Sequence, residues 1–180
     1  TISQGVATAE IKVNDPNLQL LLDATGDLNG SYPKAKIKLN LDIADLNKLN
    51  LHAGPLKIKG NIVADVPTAD IDYLNAAISA HNISINNEVE EYLLDSISIK
   101  AFANSEKNNL HIKSQFINAD VEGKYKLSQL VNSLKQTINT YYKIPTNENT
   151  NPKDTAFVPQ KIAFSIKTKD HPLLYKLVPS

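Results

Sequence analysis

The chain has 180 residues and carries 19 basic and 19 acidic side chains, so its formal net charge is zero. Every basic residue is lysine, and this balance argues against a nucleic-acid-binding protein, which needs a clustered basic face. Absence of cysteine excludes disulfides and cysteine-ligated metals, and no apolar run has the length of a transmembrane helix or the form of a signal peptide. Because the chain starts at Thr1 and lacks methionine, we expect a soluble segment of a longer protein, with any targeting signal or membrane anchor outside it.

Apolar and polar residues alternate along the first third of the chain, as in a strand with one apolar and one polar face. The alternation covers residues 7–13, resumes over 18–22 after an Asn-Asp-Pro turn, and is clearest over 35–43. The sequence predicts strands in all three stretches. The lysines at 34, 36 and 38 fall on the polar side, which indicates a solvated face, with attraction to anionic lipid headgroups as the alternative.

The middle of the chain continues the same pattern. Residues 44–51 space their leucines irregularly, which favours a helical turn, and alternation returns over 56–66 and, after a connection, over 76–85. A hairpin is predicted from strands at 97–103 and 110–116 around a polar turn. At Ile117 and Asn118 the parity shifts, as a bulge or tight turn produces, and Ala119, Val121 and Tyr125 take up the apolar side.

Helical periodicity occurs only in residues 127–142, where Ser128 is a candidate cap. The apolar stripe of this predicted helix consists of Leu127, Leu130, Val131, Leu134, Ile138 and Tyr141. Residues 143–160 hold prolines among polar residues, which is typical of a flexible linker or a long surface loop. The predicted organisation is therefore a curved sheet segment over 1–142 that ends in the helix, a linker over 143–160, and a final strand with an apolar turn over 161–180.

The sequence contains no recognisable catalytic or metal-binding motif. The four histidines are scattered without metal-ligand spacing, and the acidic residues near Asp70 and Glu90 are typical of solvated turns. Neither a nucleophile elbow nor a glycine-rich phosphate loop is present. We therefore expect no enzyme, no catalytic residue, no metal and no cofactor.

About eight or nine predicted strands share an apolar side, and one helix of about four turns is too short to cover them all. Leaving large aliphatic side chains wet would forfeit roughly 1.5–3 kcal/mol each. Either the sheet closes on itself around a dry core, or something other than this chain covers the apolar face. Periodicity alone does not choose between these arrangements.

Four motifs in the second half of the chain resemble the TamB-type translocation and assembly module family, in the form it takes in Bacteroidetes, with the AsmA-like proteins as relatives. They are Leu94-Asp95-Ser96, the pattern S.F.NA...G.Y over 114–125, the L..L start of the helix at 127–130, and HPLL..L.P over 171–179. The resemblance covers about residues 73–179, and the first third matches only in general pattern. Members of this family are anchored in the inner membrane and cross the periplasm as a long curved β-sheet with a hydrophobic groove.

The resemblance implies a mainly β fold: a strongly twisted, curved antiparallel sheet forming a β-taco-like groove, with the amphipathic helix packed on the apolar face. It implies a periplasmic location, phospholipid acyl chains as cargo, and an Omp85-type outer-membrane protein and client β-barrel proteins as partners of the full-length chain. The predicted groove-lining residues are Ile37, Leu39, Leu41, Ile43, Ile58, Ile62, Ile97, Ile99, Ile112, Phe116, Val121 and Tyr125.

Two other functions fit the same pattern. A closed β-sandwich or solenoid with a dry core would serve as a spacer or adhesin scaffold. A chaperone would instead offer its sheet edges to unfolded strands by β-augmentation.

Overall fold

The computed structural model describes residues 1–129 and 161–171, and ten strands within them form one antiparallel sheet. The strands are β1 (Ile2–Ser3), β2 (Val6–Asp15), β3 (Leu18–Asp27), β4 (Lys34–Asp45), β5 (Lys57–Thr68), β6 (Asn75–Asn86), β7 (Glu91–Ala103), β8 (Asn108–Ser114), β9 (Ile117–Lys124) and β10 (Lys161–Thr168). Their order in the sheet is their order in the chain, and the sheet is curved and does not close. The prediction of a mainly β, curved antiparallel sheet is confirmed.

Short polar connections join most of the neighbouring strands, because antiparallel neighbours can be joined by tight turns. The longer connections are residues 46–56 between β4 and β5 and residues 125–160 between β9 and β10. Asp15 and Asn104 accept hydrogen bonds from backbone amides two or three residues further on, at 2.8–2.9 Å. Between β5 and β6, a 3₁₀ helix (Ile71–Tyr73) begins after Asp70, whose carboxylate accepts from the amides of Asp72 and Tyr73. Each turn returns the chain alongside the strand that it has just left.

Strand register separates the side chains into two faces, because residues directly opposite each other in neighbouring strands project to the same side. The central row of one face is apolar in all nine strands that it crosses, and we call this side the apolar face. The row contains Ala9, Ala24, Ile37, Ala64, Ile78, Ile99, Ile112, Ala119 and Ile166. The adjacent row on the other side, the polar face, contains Thr8, Thr25, Lys36, Asp65, Ala77, Lys100, His111, Asp120 and Ser165.

A bulge in β4 corrects one predicted lining residue. The register of β4 against β3 passes from Leu20–Leu41 to Gln19–Ile43, which makes Asp42 an extra residue. Ile43 therefore lies opposite Gln19. Because Gln19 is next to Leu20 in the strand, it projects to the polar face, and Ile43 projects to the same face. The alternation of Leu39, Leu41 and Ile43 in the sequence contains no sign of this slip.

A cluster of large apolar side chains lies at one end of the sheet. Leu94 and Phe116 are 4% and 7% exposed, and Ile83, Ile85, Tyr92, Ile97 and Ile117 pack around them. Among the described residues, no large side chain is less than 2% exposed. The sheet therefore has one compact cluster of large side chains. Outside it, the buried hydrophobic residues of the described ranges are Tyr125 and the small residues Ala44, Ala64, Ala76 and Ala103.

We expect Leu94→Ala to lower the free energy of unfolding by about 2–3 kcal/mol, because it removes side-chain atoms from the centre of this cluster. The matched control is Leu93→Ala at the next position, where the side chain is 62% exposed and a change within about 0.5 kcal/mol is expected. Urea denaturation of the two variants makes the comparison. Equal effects at both positions would show that the cluster does not stabilise this end of the sheet.

Outside the strands, the other predictions have mixed outcomes. Residues 46–50 form a hydrogen-bonded turn, in which the Leu49 amide donates to the Asp45 carbonyl at 3.0 Å as in a single helical turn, and Asn50 has a φ of +59°. Helical backbone begins at 127–129, and the rest of the helix predicted over 127–142 lies outside the described residues. The predicted final strand is present as β10 and pairs with β9 along its whole length.

Candidate functional site

The apolar face carries aliphatic and aromatic side chains that keep much of their surface in contact with solvent. Ile11 is 45% exposed and Ile62 36%, while Phe164 and Ile166 on β10 reach 68% and 59%. Within residues 1–129 and 161–171, packing between elements is essentially that of sheet neighbours, and no second layer lies over this face. A soluble protein rarely leaves so continuous an apolar surface unpartnered unless it binds something there.

The register brings most of the predicted lining residues onto the apolar face. Those at strand positions on this face are Ile37, Leu39, Leu41, Ile58, Ile62, Ile97, Ile99, Ile112 and Val121. Phe116 and Tyr125 lie just beyond strand ends, at opposite ends of the face, and both are buried. Ile43 is the residue that the bulge removes from this set.

Several other residues of the face were not among the predicted lining. They include Ile11, Leu20, Leu22, Ile78, Leu110, Phe164 and Ile166. Each belongs to a stretch with the same period of two, so the alternation would have identified them had it been applied to every strand equally.

Tyr125 marks the end of the face nearest the start of the helical backbone. The residue is 6% exposed, and burial raises the pKa of its hydroxyl above the ordinary value for tyrosine. Asn108 donates its side-chain amide to the Tyr125 carbonyl. A small recess beside it is lined by Leu74, Leu110 and Leu127, among others. Leu127 is thus the one stripe residue of the predicted helix that the structure describes; Leu130, Val131, Leu134, Ile138 and Tyr141 lie outside the described residues.

Asp72 fixes the turn that follows Tyr125. Its carboxylate accepts a hydrogen bond from the Ser128 amide at 3.0 Å. Burial works to raise the pKa of Asp72, but the hydrogen bonds from Ser128 and the positive charge of Lys126 outweigh it and hold the pKa below its usual value. The carboxylate therefore stays ionised at neutral pH and ties the 3₁₀ helix to residues 126–128.

Gln115 connects neighbouring strands at the opposite end of the apolar face. Its side-chain oxygen accepts from the Asp95 amide at 3.0 Å, and its side-chain nitrogen donates to the Leu93 carbonyl at 3.2 Å. The imidazole of His171 stacks on Phe116 with ring centroids 4.9 Å apart. The turn between β8 and β9 is thereby fastened to β7 and to the residues after β10.

Within residues 1–129 and 161–171, no group of three or more histidine, aspartate and glutamate side chains is placed to hold a metal ion. The described ranges likewise contain no helix with both the length and the apolar character needed to span a bilayer.

Comparison of the chain with protein-family models, with curated proteins and with solved structures found no match in any of the three.

Proposed function

We propose that this chain is a non-enzymatic module that carries phospholipid acyl chains along the apolar face of its sheet. The observation that supports this most is the row from Ala9 to Ile166, which is apolar in each of the nine strands that it crosses and has no protein layer over it among the described residues. A sheet stabilised around a dry interior would place a second sheet or helices against these positions.

The length of the row suits a lipid. It crosses nine strands, hence eight spacings, or about 38 Å at roughly 4.8 Å each. The hydrocarbon core of a bilayer is roughly 30 Å thick, so the acyl chains of one leaflet extend about half that distance. The row is therefore longer than one acyl chain. It could shield the whole acyl chain from water and allow it to slide from strand to strand.

The setting that we propose is a TamB-like protein of the cell envelope. The Leu94-Asp95-Ser96 motif lies in β7, and the pattern over 114–125 spans the turn between β8 and β9, so both motifs are part of the sheet that forms the apolar face. In this setting the full-length protein is anchored in the inner membrane and crosses the periplasm. It transfers phospholipid between the two membranes, or assists assembly of β-barrel proteins with an Omp85-type partner.

Native mass spectrometry tests the proposal directly. The purified chain is incubated with phospholipid vesicles and separated from them, and the mass of the intact protein with any bound lipid is then measured. We expect at least one phospholipid bound per chain, released by collisional activation. A chain that stays free of lipid at saturating vesicle concentration would contradict the conduit and favour a structural spacer with a dry core.

A further inference from the structure

Four lysines converge at the corner of the sheet next to Tyr125, and we call them the lysine corner. Lys107 directly precedes β8, Lys124 ends β9, Lys126 follows it, and Lys161 begins β10. The strand ends bring them together although Lys126 and Lys161 are far apart in sequence.

Two of these lysines are neighbours on the polar face, at the strand ends next to Tyr125. Lys124 and Lys161 are directly opposite in the register of β9 and β10, and like charges in such positions repel. Within the described ranges, neither ammonium group lies within salt-bridge distance of a carboxylate, whereas Lys107 contacts Glu122 at 2.7 Å. An anion at this corner would relieve the repulsion.

A cleft of about 300 Å³ opens at the same corner. Lys107, Lys124 and Lys126 line it together with Tyr125 and Asn108. Asp72 and Glu106 also line it, but Asp72 is already engaged by Ser128 and Lys126. Lys124 is thus a cation in the cleft that makes no salt bridge among the described residues, although the Glu106 carboxylate lines the same cleft.

The cleft leads onto the apolar face. It shares Asp72, Asn108 and Tyr125 with the recess lined by Leu74, Leu110 and Leu127. A polar, lysine-bearing mouth therefore adjoins an aliphatic surface. This combination matches a molecule with an anionic group at one end and hydrocarbon at the other.

We propose that the lysine corner binds the phosphate of a phospholipid headgroup while the acyl chains lie on the apolar face. This inference rests on the proposed lipid-carrying function and adds to it a defined end at which the headgroup is held. Lysine ammonium groups act on phosphate as compact point charges, and each contributes to attraction of anionic lipid near a surface.

The test compares three soluble probes by titration calorimetry: dihexanoyl phosphatidic acid, dihexanoylglycerol with the same chains but no phosphate, and inorganic phosphate. We expect the native chain to bind phosphatidic acid about tenfold more tightly than the diacylglycerol. Lys124→Gln/Lys126→Gln should reduce that ratio to less than about threefold and leave diacylglycerol binding unchanged. The matched control is Lys36→Gln/Lys38→Gln on β4, which is five strands away from β9 in the sheet and should retain the native ratio.

Each other outcome has a definite meaning. An unchanged ratio in Lys124→Gln/Lys126→Gln would overturn the headgroup site while leaving the conduit intact. Inorganic phosphate that binds as tightly as phosphatidic acid would mean a phosphate site unrelated to lipid. Failure of both lipids to bind the native chain would reject the conduit and the headgroup site together.

Discussion

Gly123→Ala is expected to release β10 from the sheet and to lower the free energy of unfolding by about 3 kcal/mol. Gly123 has a φ of +153°, and a Cβ atom built there would lie 2.0 Å from the carbonyl oxygen of Lys161. That oxygen belongs to the backbone of the neighbouring strand and cannot move aside without breaking the pairing. Hydrogen exchange measures the result, as loss of protection at residues 161–168 with protection retained in β3 to β6.

Gly26→Ala is the matched control. Gly26 also lies in a strand, opposite Ala35, but the nearest atom to an added Cβ is 3.9 Å away. Here alanine should be neutral or stabilise slightly, because it reduces the freedom of the unfolded chain. If Gly123→Ala kept full protection in β10, the close approach of β9 and β10 would have to be wrong.

Leu39→Asp is expected to weaken lipid binding by at least about tenfold, while lowering the free energy of unfolding by no more than about 2 kcal/mol. Leu39 lies on the apolar face between Leu22 and Ile62 and is only partly buried. A carboxylate at this position would remain hydrated in the empty chain, but it would lie in the path of an acyl chain and would have to lose its water there. Thermal melts and native mass spectrometry on the same preparation separate stability from binding.

Asn40→Asp tests whether the new charge matters through its position. Asn40 is the next residue along β4 and stands on the polar face opposite Leu21 and Asn61, so its substitution should change neither property. In a sheet sealed around a dry core, Leu39→Asp would instead cost several kcal/mol, because it buries an unpaired charge. A collapse of the melting temperature in Leu39→Asp alone would therefore count against an open face.

Alternation in the sequence was sufficient to predict a mainly β fold and most of the apolar face, whereas the curved, open form of the sheet was implied only by the family resemblance. Strands with strict period two, such as β4 up to Leu41, need only their own pattern to define which side is apolar. The change of apolar side near Ile117 was also predicted from the sequence. In the structure it corresponds to the turn at Gln115 and Phe116, after which β9 begins. Local pattern suffices wherever the strand is regular.

Features set by contacts between strands were not predictable. Ile43 continues the alternation of β4 perfectly, and only the register against β3 shows that Asp42 is an extra residue. Pairing of β10 with β9 could not be inferred either, because more than thirty residues separate the two strands. The lysine corner depends on that pairing, since Lys161 meets Lys124 only through it.

The neighbour-only topology of the sheet also bears on how such a protein can change in length. Since each strand packs on the strands before and after it in the chain, stability accumulates locally, much as it does along an array of repeats. Insertion or loss of a hairpin would change the distance between the two edge strands without disrupting a core that all strands share. The reach of the apolar surface is therefore a quantity that evolution can adjust in steps of two strands, about 10 Å at a time.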